Sequence, residues 1–179
     1  MILCFHEIGQ GNSKYIISPE QFKKVLTDHP EAEIHFDDGR KGILKALPIL
    51  KEFKRKATIF LVPNFLMKKA TANECYSDFL TIEDVKELLK ENVFEIGSHS
   101  LTHQNYLTKL DYFGLRNEIV ESKRWLEDMF NKKITKFSYP FGAANEWTNQ
   151  ITERHYEKIY TLDNIHGIKR TLVINSANS

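Results

Sequence analysis

Residues 43–62 read Ile-Leu-Lys-Ala-Leu-Pro-Ile-Leu-Lys-Glu-Phe-Lys-Arg-Lys-Ala-Thr-Ile-Phe-Leu-Val, and two periods meet inside them. Ile43, Leu44, Leu47, Leu50 and Phe53 recur at helical spacing, so residues 41 to 54 are expected to form an amphipathic helix, in which Pro48 predicts a kink or a broken start. Ala57 to Val62 is an unbroken apolar run that reads as a buried strand, and Pro63 stops it. The basic run Lys51 to Lys56 between them ends the helix, where cations complement the dipole, and is expected to be a solvated face.

The same alternation extends in both directions. Ile2 to Phe5 is an expected strand, and Ser18-Pro19-Glu20 opens a helix with Ser18 as N-cap. Ile34 and Phe36 end a second strand at Asp37-Asp38-Gly39. Thr81 to Asp84 starts another helix with a capping box left imperfect by aspartate at its third position. Val93 to Ile96 forms a strand, Lys109 to Phe130 a long helix and Ile134 to Tyr139 a further strand. Two weaker strands are expected near Lys158 to Leu162 and Arg170 to Ile174. Strands alternating with helices imply a parallel sheet, open or closed into a barrel. A full eight-fold barrel takes about 250 residues, so a barrel of this length is short of parts. Lys68 to Asp78 is the expected long loop.

The chain has 179 residues, with 41% apolar and 27% charged, which suits one globular domain over residues 1–179. Lys+Arg 25 against Asp+Glu 24 leaves a net charge of +1, so the chain has no global electrostatic claim on nucleic acid. No apolar run approaches the ~20 residues that span a bilayer. The opening residues lack the basic and long apolar regions of a signal peptide, and the expected location is cytoplasmic. Cys4 and Cys75 are too few for a disulfide framework, and Cys4 reads as a small core residue.

Three strand ends carry reactive residues. In His35-Phe36-Asp37-Asp38-Gly39, adjacent carboxylates can share a site only where the strand ends and the backbone turns, which Gly39 permits. The rival reading is an Asx-turn capping the next helix. In Gly97-Ser98-His99-Ser100-Leu101-Thr102-His103, two histidines four apart would share one side of a helical turn, a spacing that suits two zinc ligands. The rival reading is a pair of surface histidines. Phe137-Ser138-Tyr139-Pro140-Phe141-Gly142 is a strand ending in a rigid turn. Together, two imidazoles and a carboxylate make a three-ligand site with an open position, the catalytic pattern. Active sites of parallel β/α folds gather at strand C-termini, where all three segments lie.

In this order and separation the three segments resemble the polysaccharide deacetylase (NodB-homology, carbohydrate esterase family 4) domain, and the likeness runs from about Ile2 to Ile174. The resemblance implies an α/β fold, a deformed, incomplete (β/α) barrel with about seven parallel strands. It also implies metal-dependent removal of an N-acetyl group from an amino sugar. By motif position Asp38, His99 and His103 would hold the metal, usually zinc, with cobalt, nickel or iron able to use the same ligands. Asp37 would be the general base, and the backbone N–H of Phe141 an oxyanion donor.

The family's Arg-x-Pro-Tyr-Gly has Ser138 at its arginine position here, and Phe141 for tyrosine. Arg170, before the last apolar run, is the possible substitute partner for the base; the rival reading is a surface arginine. For the general acid, Leu162 and His166 stand one residue too far apart for the family's Leu-x-x-His, while His6 ends the first strand as a rearranged branch of the family has it. His35 is expected in a second layer around the pocket. Other readings are a degenerate barrel that binds a carbohydrate without cleaving it, and a metal phosphoesterase, whose paired ions the visible ligands do not provide for.

Overall fold

The computed structural model describes residues 1–68, 78–103, 107–163 and 165–175. Cys75 and most of the expected long loop lie outside the described residues. The elements in chain order are β1 (Ile2–Phe5), β2 (Glu7–Ile8), β3 (Ile16–Ile17), α1 (Pro19–Asp28), β4 (Glu33–Phe36), α2 (Ile43–Glu52), β5 (Ala57–Leu61) and α3 (Pro63–Leu66). There follow α4 (Ile82–Lys90), β6 (Phe94–Ser98), α5 (Tyr112–Arg116), α6 (Ser122–Phe130), β7 (Lys136–Ser138), α7 (Glu146–Thr152), β8 (Lys158–Thr161), β9 (Ile168–Lys169) and β10 (Thr171–Leu172). No helix among the described residues is long and apolar enough to cross a membrane.

Local sequence explains the helix ends. Ser18 and Gln21 exchange the two bonds of a capping box at α1, with Pro19 in the first turn. Thr81 and Asp84 do the same at α4, the shorter aspartate reaching the Thr81 N–H at 2.8 Å. Helix α2 runs through Pro48 without a break. Pro48 and Leu44, whose carbonyl loses its partner, are both exposed, so water can take that carbonyl. The expected long helix is one rod with a defect: α5 and α6 are joined by a π-helical segment, Asn117–Glu121.

Eight parallel strands form one sheet in the order β10-β1-β4-β5-β6-β7-β8-β9. The expectation of about seven misses one because the last strand is broken. Ile168 and Lys169 pair with β8, Thr171 and Leu172 pair with β1, and Arg170 sits at the switch, its N–H on the Thr161 carbonyl at 3.0 Å. One short segment thus bridges both edges of the sheet and nearly closes a barrel.

Alternation sorts the side chains. Leu3, Phe5, Ile34, Phe36, Ile59 and Ile96 face outward into one apolar core with Phe22 and Leu26 of α1, Ala46 and Leu50 of α2, Val85 of α4 and Leu126 of α6. The barrel interior is polar and aromatic. In its lowest layer Lys136 meets Glu95 in an ion pair, lies 3.5 Å from Glu33, and donates to Thr58 Oγ1 at 3.1 Å. Above it the His35 ring packs on Phe60 and Tyr160, with centroids at 5.0 and 4.6 Å, and its Nε2–H donates to Glu33 at 2.8 Å. Gly97 makes room for this layer, because a Cβ there would stand 2.6 Å from the Phe60 ring. The third layer is the site.

Candidate active site

Strand β4 ends at Phe36, and the chain turns at once. Asp38 and Gly39 both have left-handed backbones, φ +70° and +71°. The turn begins at Asp38 itself, one residue before the glycine that sequence reading singled out. It tips Asp38 beside Asp37, and both carboxylates are buried, 7% and 4% exposed. Of the eight non-glycine residues with positive φ among the described residues, Asp38, Ser100, His103 and Phe141 all lie here. Backbone strain of this kind, of order 1–3 kcal/mol each, persists only where surrounding structure holds it.

His99 and His103 do not share a helical turn, as their spacing suggested. His99 leaves the end of β6, its N–H on the Leu61 carbonyl at 2.9 Å, and a loop carries the chain to His103. Positive φ at Ser100 (+64°) and His103 (+61°) curls that loop, and Ser100 Oγ accepts the His103 N–H at 3.0 Å. His103 Nε2 stands 3.3 Å from Asp38 Oδ1, and His99 Nε2 stands 3.6 Å from the same oxygen.

This donor set fits zinc. Ligand bonds of about 2.0–2.1 Å to a tetrahedral ion put ligand atoms about 3.3 Å apart. Asp38, His99 and His103 each offer an atom within 4.8 Å of the others. Asp38 Oδ1 is buried with no hydrogen-bond partner among the described residues, while Oδ2 accepts from Arg40 Nε at 3.3 Å. His99 Nδ1–H donates to the Ser138 carbonyl at 2.7 Å, which fixes the tautomer and leaves the Nε2 lone pair facing Asp38. Burial pushes the His99 imidazole down to about 4, so it is neutral near pH 7, as a ligand must be.

Asp37 is held differently. Arg170, at the break between β9 and β10, donates to both of its oxygens at 2.7 Å, and the same guanidinium reaches Ser138 Oγ at 2.6 Å. The serine at the motif's arginine position therefore accepts from an arginine supplied by another strand. Arg170 is buried, not a surface arginine. Burial alone would raise the Asp37 carboxyl; the guanidinium overrides it and holds the carboxyl well below the usual carboxylate range. Burial works against the Arg170 charge in turn, and Asp37 more than restores it. The Cys4 thiol points into the barrel interior and donates to Asp37 Oδ2 at 3.3 Å. Burial, then the Asp37 charge, keeps it a thiol.

These residues line a cleft of about 490 Å³ with His6, Glu7, Tyr15, Phe141, Leu162 and Leu172. The two histidines considered as acid separate here. His6 faces the cleft, its ring 4.9 Å from Tyr15 and its Nδ1 buried without a partner among the described residues. His166 is not part of the lining and stands 3.8 Å from Asp163. His35 lies in the sealed layer beneath and does not line the cleft. Phe141 is 60% exposed, and its ring lies 4.8 Å from the His103 ring. Sequence reading missed Arg40 and the contact of Cys4 with Asp37. It also missed Glu118, whose position in a helix gave it the look of a solvated residue.

The profile of one family, polysaccharide deacetylase, matches residues 24–159. This chain belongs to the polysaccharide deacetylase family. Its family span holds Asp37, Asp38, His99, His103, Ser138 and Phe141, whereas His6 and Arg170 lie outside it. The chain is 29% identical over 178 residues to YxkH of Bacillus subtilis (strain 168), which is assigned as a polysaccharide deacetylase; the match covers 86% of this chain and 60% of YxkH. BA0330 from Bacillus anthracis superposes with TM-score 0.82 at 23% identity, over 98% of this chain and 65% of that one. IcaB from Ammonifex degensii gives TM-score 0.80 at 19% identity, over 96% and 90%. The nearly closed parallel barrel is thus the fold of polysaccharide deacetylase structures.

Proposed function

We propose that the chain is a metal-dependent hydrolase that removes an N-acetyl group from an amino sugar of a glycan or glycan precursor. One observation carries the reading: the ligand atoms of Asp38, His99 and His103 lie within 4.8 Å of one another, and Asp37, held by an arginine, stands 3.7 Å from His99 Nε2. Family membership supports the bond type. The carbohydrate class rests on family membership too, and the metal rests on the site.

Asp38, His99 and His103 would hold the ion, with zinc the first choice. When bound, zinc lowers the pKa of water towards ~7 and polarises a carbonyl. Asp37 accepts the proton of water as its oxygen attacks the amide carbon. Arg170 keeps that carboxylate ionised and fixes its plane through two parallel bonds. The Phe141 N–H donates to the developing oxyanion, where one such donor is worth about 3 kcal/mol. The C–N bond breaks as His6 gives a proton to the departing nitrogen, leaving acetate and a free amine. A barrel that only binds sugar has no use for an ionised base beside a metal site.

The test is acetate release from a panel of soluble N-acetyl sugars, nucleotide sugars and chitin oligomers with zinc supplied. Asp37→Asn should lose turnover about 10²–10⁴-fold while still binding zinc. No release from any member of the panel, or undiminished release by Asp37→Asn, overturns the reading.

A further inference from the structure

The loop between the two histidines has to hold Ser100 and His103 in left-handed conformations, and its own sequence does not explain how. Beyond the Ser100 hydroxyl on the His103 N–H, the hold comes from outside. Glu118 is 5% exposed, and one of its oxygens, Oε2, accepts the backbone N–H groups of Leu101 and Thr102 at 3.1 and 3.0 Å. Its other oxygen accepts the Thr102 hydroxyl at 2.6 Å. From the opposite side the Leu101 carbonyl accepts the Asn64 N–H at 3.1 Å.

Glu118 sits within the helix defect. It lies in the π-helical segment, where Glu118, Ile119 and Val120 are buried in succession. Leu115, Ile119 and Leu126 keep one face toward the core, and Glu118, three residues after Leu115, flanks that face and meets the loop. π-bulges of this kind cluster at functional sites.

We infer that Glu118 is the positioning residue of the metal site: it touches neither ion nor substrate, and it sets the separation of His99 and His103 by clamping the two peptides between them. The inference rests on the metal reading above and adds a residue to it. Removing the carboxylate leaves two loop N–H groups without their acceptor, and the loop can relax toward backbone angles in which His103 no longer meets Asp38.

The experiment is zinc affinity of the full chain, measured with zinc alone in competition with a chromophoric chelator, well below the unfolding temperature of the metal-free protein. Glu118→Ala should weaken zinc binding about ten- to a hundred-fold, the usual cost of losing an outer support. Glu118→Gln should recover most of it, because its amide oxygen can accept both N–H groups and the Thr102 hydroxyl can turn to accept from the amide. A merely structural role would lower the metal-free unfolding temperature and leave the zinc constant alone; unchanged affinity in folded Glu118→Ala overturns the inference. If that variant does not fold, Glu118→Asp decides, since it keeps the charge but draws the acceptors back by one methylene, and wild-type affinity there overturns the inference equally. A wild-type protein that binds no zinc is a different result, which sinks the metal reading itself.

Discussion

Replacing Arg170 by methionine tests whether the base depends on a guanidinium carried in by the last strand. The side chains of Arg170 and Asp37 are 1% and 5% exposed, and they share two bonds of 2.7 Å. Removing one partner of such a pair leaves an uncompensated buried charge and costs about 3–5 kcal/mol. Methionine fills most of the volume, so the loss reports charge more than cavity. In wild type the Asp37 carboxyl is depressed, so its contribution to stability is present above the unfolded carboxylate pKa near 4 and is lost as pH falls. In Arg170→Met the largest opposing charge is gone, burial faces only the lesser pull of His99 and His6, and the carboxyl should rise. The sign then inverts, and the variant should lose stability as pH rises from about 4 to about 7. The assay is urea unfolding in the presence of a chelator, at both pH values, for Arg170→Met, Asp37→Asn and the double variant. The double variant should be more stable than Arg170→Met alone at neutral pH, since no buried charge is stranded. A single variant within about 1 kcal/mol of wild type, or a loss independent of pH, refutes the reasoning.

Other expectations follow from separate parts of the molecule. His6→Ala should cut acetate release about 10²–10⁴-fold and His166→Ala only a few-fold; equal losses would remove His6 from its role. Gly97→Ala drives a methyl to 2.6 Å from the Phe60 ring and should destabilise by about 1–3 kcal/mol, read as a lower unfolding temperature; an unchanged temperature would show that the interior layer gives way freely. The His35 hydrogen bond takes the Glu33 carboxyl down to about 2. Glu33 therefore stabilises the fold above its ordinary pKa and ceases to as pH falls through the lower value. The stability gap between wild type and Glu33→Gln should narrow between about pH 6 and about pH 3, and a constant gap in urea unfolding would contradict it.

Which parts were legible follows from how each residue announces itself. Asp38 and His99 stand just past strand ends and His103 in the loop that follows, where a pattern of residue types survives without coordinates, and the structure brings them together. Their backbone did not show. His99 and His103 at a spacing of four look helical, and nothing in Ser100 declares a left-handed turn. Ser138 showed only that an arginine was missing, and Arg170 only that a charge was available; their meeting depends on the last strand changing partners, which no local pattern encodes. Glu118 was invisible because a glutamate in a helix is ordinarily read as solvated, although its place three residues after Leu115 puts it on the flank of the buried face. At Pro48 the helix continues, with the carbonyl that loses its partner on the exposed side of α2.

The broken final strand has a consequence for the order of synthesis. A growing chain that has not reached residue 168 already holds Asp38, His99 and His103, yet its sheet still has two raw edges and Asp37 has no guanidinium beside it. When Ile168 to Leu172 docks, both edges are sealed and the carboxylate gains its counter-cation in one event. The docking of one five-residue segment thus ties the closing of the sheet to the neutralising of a buried carboxylate, and neither is reached without the other.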